Sequence, residues 1–165
     1  MAASSEISHT PFHYQTKGAP MNQASDIVRE FFAGFEKASN ALDLEILGSQ
    51  YGDSFMFASP QGAQSIKKDD FLKVLPKRKG FFRTIGLISS KITALEETRL
   101  DKNYVMVKAH SDMKFEKNPG QSIVDEISAT YVLFQQENIL QIVFQLDHQD
   151  LTKRVQELGL LPAKD

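Results

Sequence analysis

An adjacent acid and imidazole near the end of the chain are the first candidates for acid–base chemistry. Asp147 and His148 follow a segment in which apolar residues alternate with glutamines, as in a strand. Neighbouring strand residues point to opposite faces, so only one of the two can face an interior. If the apolar residues line a pocket, His148 faces it and can transfer protons; if the glutamines do, Asp147 takes that role. The alternative is that both belong to a solvated strand end.

Two further strand-like segments carry polar side chains that suit a site. His110 and Asp112 share a face, two residues apart, and could form a base with its orienting partner. The lysines beside them indicate an ordinary solvent-exposed face instead. Asp125 and Tyr131 fall on the apolar face of the next segment, where a carboxylate would be desolvated, as in many catalytic sites. The alternative for Asp125 is contact with water near a strand end.

The composition opposes several other kinds of chemistry. The chain has no cysteine, which excludes thiol catalysis, cysteine-bound zinc and disulfides. Its 19 basic and 21 acidic residues give a net charge of −2, which is unsuited to a broad nucleic-acid surface. His9 and His13 have the spacing of helical metal ligands, but Pro11 opposes a helix between them. We therefore expect no cofactor, no metal site and no nucleic-acid partner.

Basic residues nevertheless concentrate in one helical segment. They are Lys67, Lys68, Lys73, Lys77, Arg78, Lys79 and Arg83. Such a segment could attract an anionic substrate or partner. A solvated helix face is the simpler interpretation, because Asp69 and Asp70 neutralise part of the charge.

The apolar periodicity predicts helices first and strands afterwards. Ser25 suits the N-cap of an amphipathic helix of about 15 residues, and a second, shorter helix ends at Tyr51. A third helix begins near Lys67, and Pro76 should end or kink it. The predicted strands cover residues 55–57, 88–97, 104–116, 121–135 and 139–149, with turns at 59–62 and 118–120 and a last short helix at 151–158.

This order predicts an α+β fold. N-terminal helices should pack on a strongly curved, mainly antiparallel sheet that forms a cone-shaped half-barrel. Such a cone leaves a cavity between sheet and helices, where ligands usually bind. We expect residues 1–23 to be a flexible N-terminal extension and residues 24–165 to form a single domain. The lack of a signal peptide and of a long apolar run favours a cytoplasmic protein with no membrane association.

Several short motifs resemble the nuclear-transport-factor-2-like superfamily, particularly its SnoaL-like and ketosteroid-isomerase-like branch. Asn40 to Leu47, followed by Tyr51-Gly52-Asp53-Ser54-Phe55, resembles the family signature N-x-x-D-L-x-x-L … Y/F-A-D-D-A. Pro60 and Gly62 match the D-P-x-G turn, and the strand containing Asp147 matches the last strand of the family. The resemblance covers residues 24–152. It implies a conical domain with an internal pocket, commonly a homodimer through the sheet.

Two departures from this family bear on the activity. Ser59 stands where ketosteroid-isomerase-like members have a catalytic Asp, and Phe35 stands where they have an oxyanion-stabilising Tyr. Neither residue can replace those groups, so steroid isomerisation is not expected. The residues expected to line the pocket are Phe31, Phe35, Tyr51, Phe57, Ser59, Phe71 and Phe144.

The resemblance leaves three functions open, because members of the family include enzymes, binding domains and assembly domains. The first is a SnoaL-like domain that binds a small hydrophobic molecule in the cone. The second is a cofactor-free isomerase, cyclase or dehydratase that uses Asp147, His148 or Asp125 as acid or base, with Tyr131 or His110 as hydrogen-bond donor. The third is a homo-oligomeric assembly or protein-interaction module.

Overall fold

The structure, a computed structural model, describes residues 24–161, so the predicted N-terminal extension and its two histidines lie outside the described residues. The helices are α1 (Asp26–Ala41), α2 (Leu44–Gln50), α3 (Lys68–Thr84) and α4 (Leu151–Glu157). The strands are β1 (Tyr51–Ser59), β2 (Gly62–Lys67), β3 (Leu87–Arg99), β4 (Tyr104–Asn118), β5 (Gln121–Gln136) and β6 (Ile139–Asp147).

The six strands form one open, mixed sheet in the order β2-β1-β6-β5-β4-β3. Neighbouring strands are antiparallel except for β1 and β6, which run parallel. The strand predicted over residues 104–116 is present as β4, and its alternate residues Val105, Val107 and Ala109 are buried on the inner face. The fold is therefore the predicted α+β cone.

Bulges curve the sheet and change which side chains face inward. The pairing of β5 and β6 shifts between Val132 and Leu133, where Val143 is the extra residue of β6. Because a bulge reverses the alternation, Ile142 and Gln145 both lie buried on the inner face although they are three residues apart. The inner face of β6 is apolar before the bulge and polar after it.

Helix α1 closes the inner face of the sheet as predicted. Val28 and Phe32 are buried in the main core cluster, which includes Val105 and Leu133. Ser25 occupies the N-cap position, but its side chain makes no cap hydrogen bond within the helix. Its backbone N–H and its hydroxyl instead donate to Glu97, at 2.6 and 3.2 Å, which ties the start of α1 to β3.

The structure corrects two predicted elements before the main sheet strands. Residues 62–67 form the edge strand β2, which was not predicted because its side chains are mostly exposed and show no apolar alternation. Helix α3 also continues through Pro76 to Thr84 instead of ending there. Pro76 is exposed, so water can satisfy the carbonyl group that loses its helical partner.

Helix α4 packs at the other end of the cone, in a second apolar cluster. Val155 of this helix is buried with Ile85, Met113 and Phe115. Asp150 caps the helix, because its carboxylate accepts a 3.0 Å hydrogen bond from the backbone N–H of Lys153. Within residues 24–161, no helix is long and apolar enough to cross a membrane.

Candidate functional site

A cleft lies between α1, α3 and the inner face of the sheet. It comprises two adjoining cavities, of about 290 and 170 Å³, which share Phe35, Arg78 and Gln145 in their walls. The larger cavity has mainly apolar walls, which include Leu47, Phe71, Leu75, Phe82 and Met113. The smaller cavity adjoins the polar part of β6. The cleft thus has an apolar body and a polar end, as ligand sites commonly do.

A row of hydrogen-bonded side chains forms one wall of this cleft. The Tyr51 hydroxyl donates to the Gln145 Oε1 at 2.6 Å, and the Gln145 Nε2 donates to the Asp147 Oδ1 at 3.0 Å. Gln145 is only 8% exposed, while Asp147 borders the smaller cavity. The row therefore holds the carboxylate of Asp147 in a fixed position at the polar end.

Tyr131 lies beside this row, with its ring against two aromatic side chains of α1. Its ring centroid is 5.2 Å from that of Phe32 and 5.6 Å from that of Phe35, both in edge-to-face geometry. Tyr131 is 6% exposed and borders the smaller cavity. Within residues 24–161 its hydroxyl has no hydrogen-bond partner, so it can donate to a ligand in the cleft.

Both buried tyrosines remain neutral at physiological pH. Burial raises the pKa of Tyr51 and of Tyr131 well above the ordinary tyrosine value. The negative charge of Asp147 raises the pKa of both hydroxyls further, whereas the positive charge of Arg78 partly offsets these effects. The site thus combines protonated hydroxyl donors with a carboxylate.

His148 lies outside this site. Its side chain is exposed, and its Nε2 is 2.7 Å from the hydroxyl oxygen of Thr130. Since the polar part of β6 faces the cleft, the prediction that would place His148 in the pocket is wrong. The sequence left two alternatives for this strand end, with either His148 or Asp147 facing the pocket. In the structure Asp147 borders the cleft.

His110 also lies away from the cleft, and its predicted pairing with Asp112 is wrong. The His110 Nε2 is 2.6 Å from a carboxylate oxygen of Glu96 on β3, and its Nδ1 is 3.7 Å from Glu126 on β5. Both are diagonal cross-strand neighbours of His110, at a distance that long side chains can span. The hydrogen bond from His110 lowers the pKa of Glu96.

Asp125 is buried, but it belongs to an ion pair. Its two carboxylate oxygens contact the guanidinium of Arg154 on α4, with nitrogen–oxygen distances of 2.6, 2.9 and 3.0 Å. Asp125 is 5% exposed and does not border the cleft. Both predicted roles, a catalytic carboxylate and a carboxylate in water, are therefore wrong. The pair secures α4 to the sheet.

The residues predicted to line the pocket divide into two groups. Phe35, Tyr51 and Phe71 border the larger cavity. Four others border neither cavity: Phe31 and Phe57 pack against the main core cluster, Phe144 is paired with Met56 and Val132, and Ser59 closes the β1–β2 hairpin by hydrogen bonding to Gln61. The prediction for these four is wrong.

Two residues of the site were not among the predicted candidates. Gln145 links Tyr51 to Asp147 through its two hydrogen bonds, but it lies on the buried face only because of the bulge at Val143. Arg78 borders both cavities, and the basic pattern of its helix was its only signal. Among the residues that the structure describes, no group of three or more His, Asp or Glu side chains could hold a metal ion.

The fold is shared with solved structures of nuclear-transport-factor-2-like proteins. An NTF-2-like protein of unknown function from Shewanella oneidensis MR-1 is 20% identical, with a TM-score of 0.60 over 75% of this chain and 98% of that one. Aln2 from a Streptomyces species is 14% identical, with a TM-score of 0.62 over 77% of this chain and 91% of that one.

A third similar structure comes from the SnoaL-like group. It is a protein provisionally described as a SnoaL-like polyketide cyclase from Shewanella denitrificans OS-217. It is 15% identical, with a TM-score of 0.55 over 83% of this chain and all of that chain. No family model matches the sequence, and no curated protein matches it. The chain therefore has the nuclear-transport-factor-2-like fold, and its activity must be argued from its own site.

Proposed function

We propose that this domain binds a small, mainly apolar molecule in the cleft between α1, α3 and the sheet. The observation that carries this proposal is the cavity of about 290 Å³ with walls of Leu47, Phe71, Leu75, Phe82 and Met113. A cavity of this kind favours apolar groups, because the transfer of apolar surface from water to apolar surroundings is favourable. The hydroxyl of Tyr131 and the carboxylate of Asp147 offer polar contacts at one end.

The expected affinity follows from the apolar area that a ligand would bury. About 200 Å² of buried ligand surface at about 25 cal/mol per Å² contributes about 5 kcal/mol. That free energy corresponds to a dissociation constant of about 0.2 mM, before polar contacts strengthen it and ordering costs weaken it. Binding in this range is measurable with a fluorescent apolar probe.

The test uses N-phenyl-1-naphthylamine, a neutral probe that fluoresces in apolar surroundings. Ile127→Trp fills part of the cleft, because Ile127 borders both cavities. Ile123→Trp is the matched control on the same strand, where Ile123 is exposed and borders neither cavity. Saturable binding that weakens about tenfold or more only in Ile127→Trp supports the proposal. Absent binding, or equal binding by the two variants, contradicts it.

A second candidate function, cofactor-free acid–base catalysis, is favoured by the arrangement of Asp147 and Tyr131. Both border the smaller cavity, where Gln145 orients the carboxylate of Asp147. Asp147 would remove a proton from a carbon next to a carbonyl group, and the Tyr131 hydroxyl would donate to the resulting enolate oxygen. Return of the proton from Asp147 to another carbon completes an isomerisation, with no net gain or loss of electrons.

This candidate is tested with 2-tetralone, a small apolar ketone with acidic protons. Its hydrogen–deuterium exchange in D₂O is followed by proton NMR with the wild type, Asp147→Asn and Asp112→Asn. Asp112 is the matched acidic control because it borders neither cavity. Acceleration by the wild type and Asp112→Asn, lost in Asp147→Asn, supports catalysis. No acceleration, or an equal rate with Asp147→Asn, would reject it and leave the binding proposal unaffected.

A further inference from the structure

We propose that the ligand of the cleft carries an anionic group, such as a carboxylate, which Arg78 binds at the cavity wall formed by α3. This inference rests on the proposed binding function and adds the chemical class of the ligand. It predicts an amphipathic acid whose apolar part occupies the larger cavity. Three observations support it: α3 places cations at the cleft, two of them form no ion pair within residues 24–161, and Asp147 lies at the polar end.

The half of α3 that follows Pro76 brings three cations to the larger cavity. Arg78, Lys79 and Arg83 border it, and Arg78 also borders the smaller cavity. Lys77 is adjacent in sequence but borders neither cavity and is exposed. Arg78 and Arg83 are exposed as well, so these two differ from Lys77 in bordering the cleft and not in their exposure.

Among the residues that the structure describes, the cations at the cleft form no ion pair with a carboxylate. Within the described residues, Arg78 and Arg83 form no ion pair, and Lys79 donates to the backbone carbonyl of Asn40 at 3.2 Å. The guanidinium of Arg78 lies 5.4 Å from the centroid of the Phe82 ring, which leaves its N–H groups free for an anion.

The first half of α3 uses its cations differently. Lys68 donates to the carbonyl oxygens of Gly48 and Tyr51 and lies 3.4 Å from a carboxylate oxygen of Asp53. Lys73 is 3.9 Å from a carboxylate oxygen of Asp70. These lysines have protein partners, so the uncompensated charge at the cleft comes from the second half of the helix.

The carboxylates that border the cleft are held by groups other than Arg78. The Glu36 Oε2 accepts a 2.5 Å hydrogen bond from the backbone N–H of Ile92, and Asp147 accepts from Gln145. Arg78 and Asp147 both border the smaller cavity, so both charges act on the same part of the cleft. An anionic ligand would be attracted by Arg78 and repelled by Asp147, which orients its apolar part towards the cavity walls.

A carboxylate is an anion that matches the donors of Arg78. The guanidinium of arginine is planar and offers paired N–H donors, which fit the two oxygens of a carboxylate. The apolar walls beside Arg78 favour a ring or chain attached to that carboxylate. Neighbouring Lys79 and Arg83 add positive charge, although a single ligand anion needs only one bidentate partner.

The experiment compares two probes with the same ring skeleton. 8-Anilinonaphthalene-1-sulfonate carries an anionic group, and N-phenyl-1-naphthylamine lacks it. Both are titrated by fluorescence into the wild type, Arg78→Gln and Lys77→Gln. Lys77→Gln is the matched control, because it removes one positive charge at a position that borders neither cavity. We expect the wild type and Lys77→Gln to bind the sulfonate about tenfold more tightly than the neutral probe. Arg78→Gln should remove most of that difference and change neutral-probe binding less than about twofold.

The outcomes separate this inference from the proposed function. Equal affinity of the wild type for both probes overturns the anion inference while preserving the binding function. So does an equal loss of sulfonate binding in Lys77→Gln and Arg78→Gln. Sulfonate binding that depends on Arg78, without neutral-probe binding, preserves the anion site but overturns an apolar ligand cavity. If neither probe binds saturably to the wild type, both proposals fail.

Discussion

Tyr51 and Gln145 are joined by a 2.6 Å hydrogen bond between two residues that lie 94 positions apart in the chain. Tyr51 is the first residue of β1, immediately after α2, and Gln145 lies on β6, which runs parallel to β1. Gln145 in turn donates to Asp147. One buried contact therefore connects the change from helix to sheet with the polar end of the cleft.

Tyr51→Phe tests this contact directly. The substitution leaves the amide oxygen of Gln145 buried without a donor, which should lower the free energy of unfolding by about 1–3 kcal/mol. Urea denaturation measures the loss. Tyr104→Phe is the matched control, because Tyr104 is exposed and its hydroxyl has no hydrogen bond within the described residues. Equal stability of the two variants would show that the Tyr51 hydroxyl contributes nothing.

The buried tyrosines should give an unusual alkaline titration. The raised pKa values of Tyr51 and Tyr131 mean that the folded protein keeps two protons that the unfolded chain releases near pH 10. Their contribution to stability is complete below that pH and is lost as the pH rises above it. Ultraviolet titration of the four tyrosines should show two that ionise late or only on unfolding. Tyr51→Phe and Tyr131→Phe should each remove one of the two; a variant that still shows two late-ionising tyrosines would contradict the assignment.

Removing one partner of the Asp125–Arg154 ion pair should destabilise the protein more than removing both partners. Arg154→Met leaves the Asp125 carboxylate buried without its cation, so this variant should unfold at a clearly lower urea concentration than the wild type. Asp125→Leu combined with Arg154→Met should recover part of the loss, because no buried charge then remains. A double variant that is less stable than Arg154→Met would contradict this account.

Gly86 should resist substitution, because β4 passes close to it. Its φ of +87° favours glycine, and an added Cβ would lie 2.8 Å from the carbonyl oxygen of Glu116. Gly86→Ala should therefore lower the free energy of unfolding by at least about 2 kcal/mol. Gly120→Ala is the control, since Gly120 has a similar φ of +80° but open space around it, and it should cost about 1 kcal/mol. Equal losses would show that the close approach has no energetic consequence.

Much of the architecture could be predicted because it depends on local patterns. The apolar stripe of α1 and the alternation of β4 repeat over many residues, so the helix and the strand were both predicted close to their observed bounds. The edge strand β2 has no such pattern: backbone pairing with β1 defines it, and its side chains remain mostly exposed. The continuation of α3 through Pro76 likewise depends on an exposed position that no periodicity reveals.

The site was harder to predict because non-local contacts decide it. The bulge at Val143 reverses the alternation of β6, so the apolar residues before it and Gln145 after it share one face. Asp125 looked like a candidate catalytic acid because its partner, Arg154, lies 29 residues away on a different element. Asp147 and Tyr131 remain candidates because the structure brings them to one cavity, while His110 and His148 lie outside it.

The most direct test of the proposed binding function is to locate the neutral probe by NMR. In the complex with N-phenyl-1-naphthylamine, we predict nuclear Overhauser effects from the probe to the methyl groups of Ile127, Leu151 and Met113, which border the larger cavity. Effects confined to exposed methyl groups such as those of Val124 and Ile139 would place the probe on the outside of the protein. That result would contradict a ligand site inside the cone.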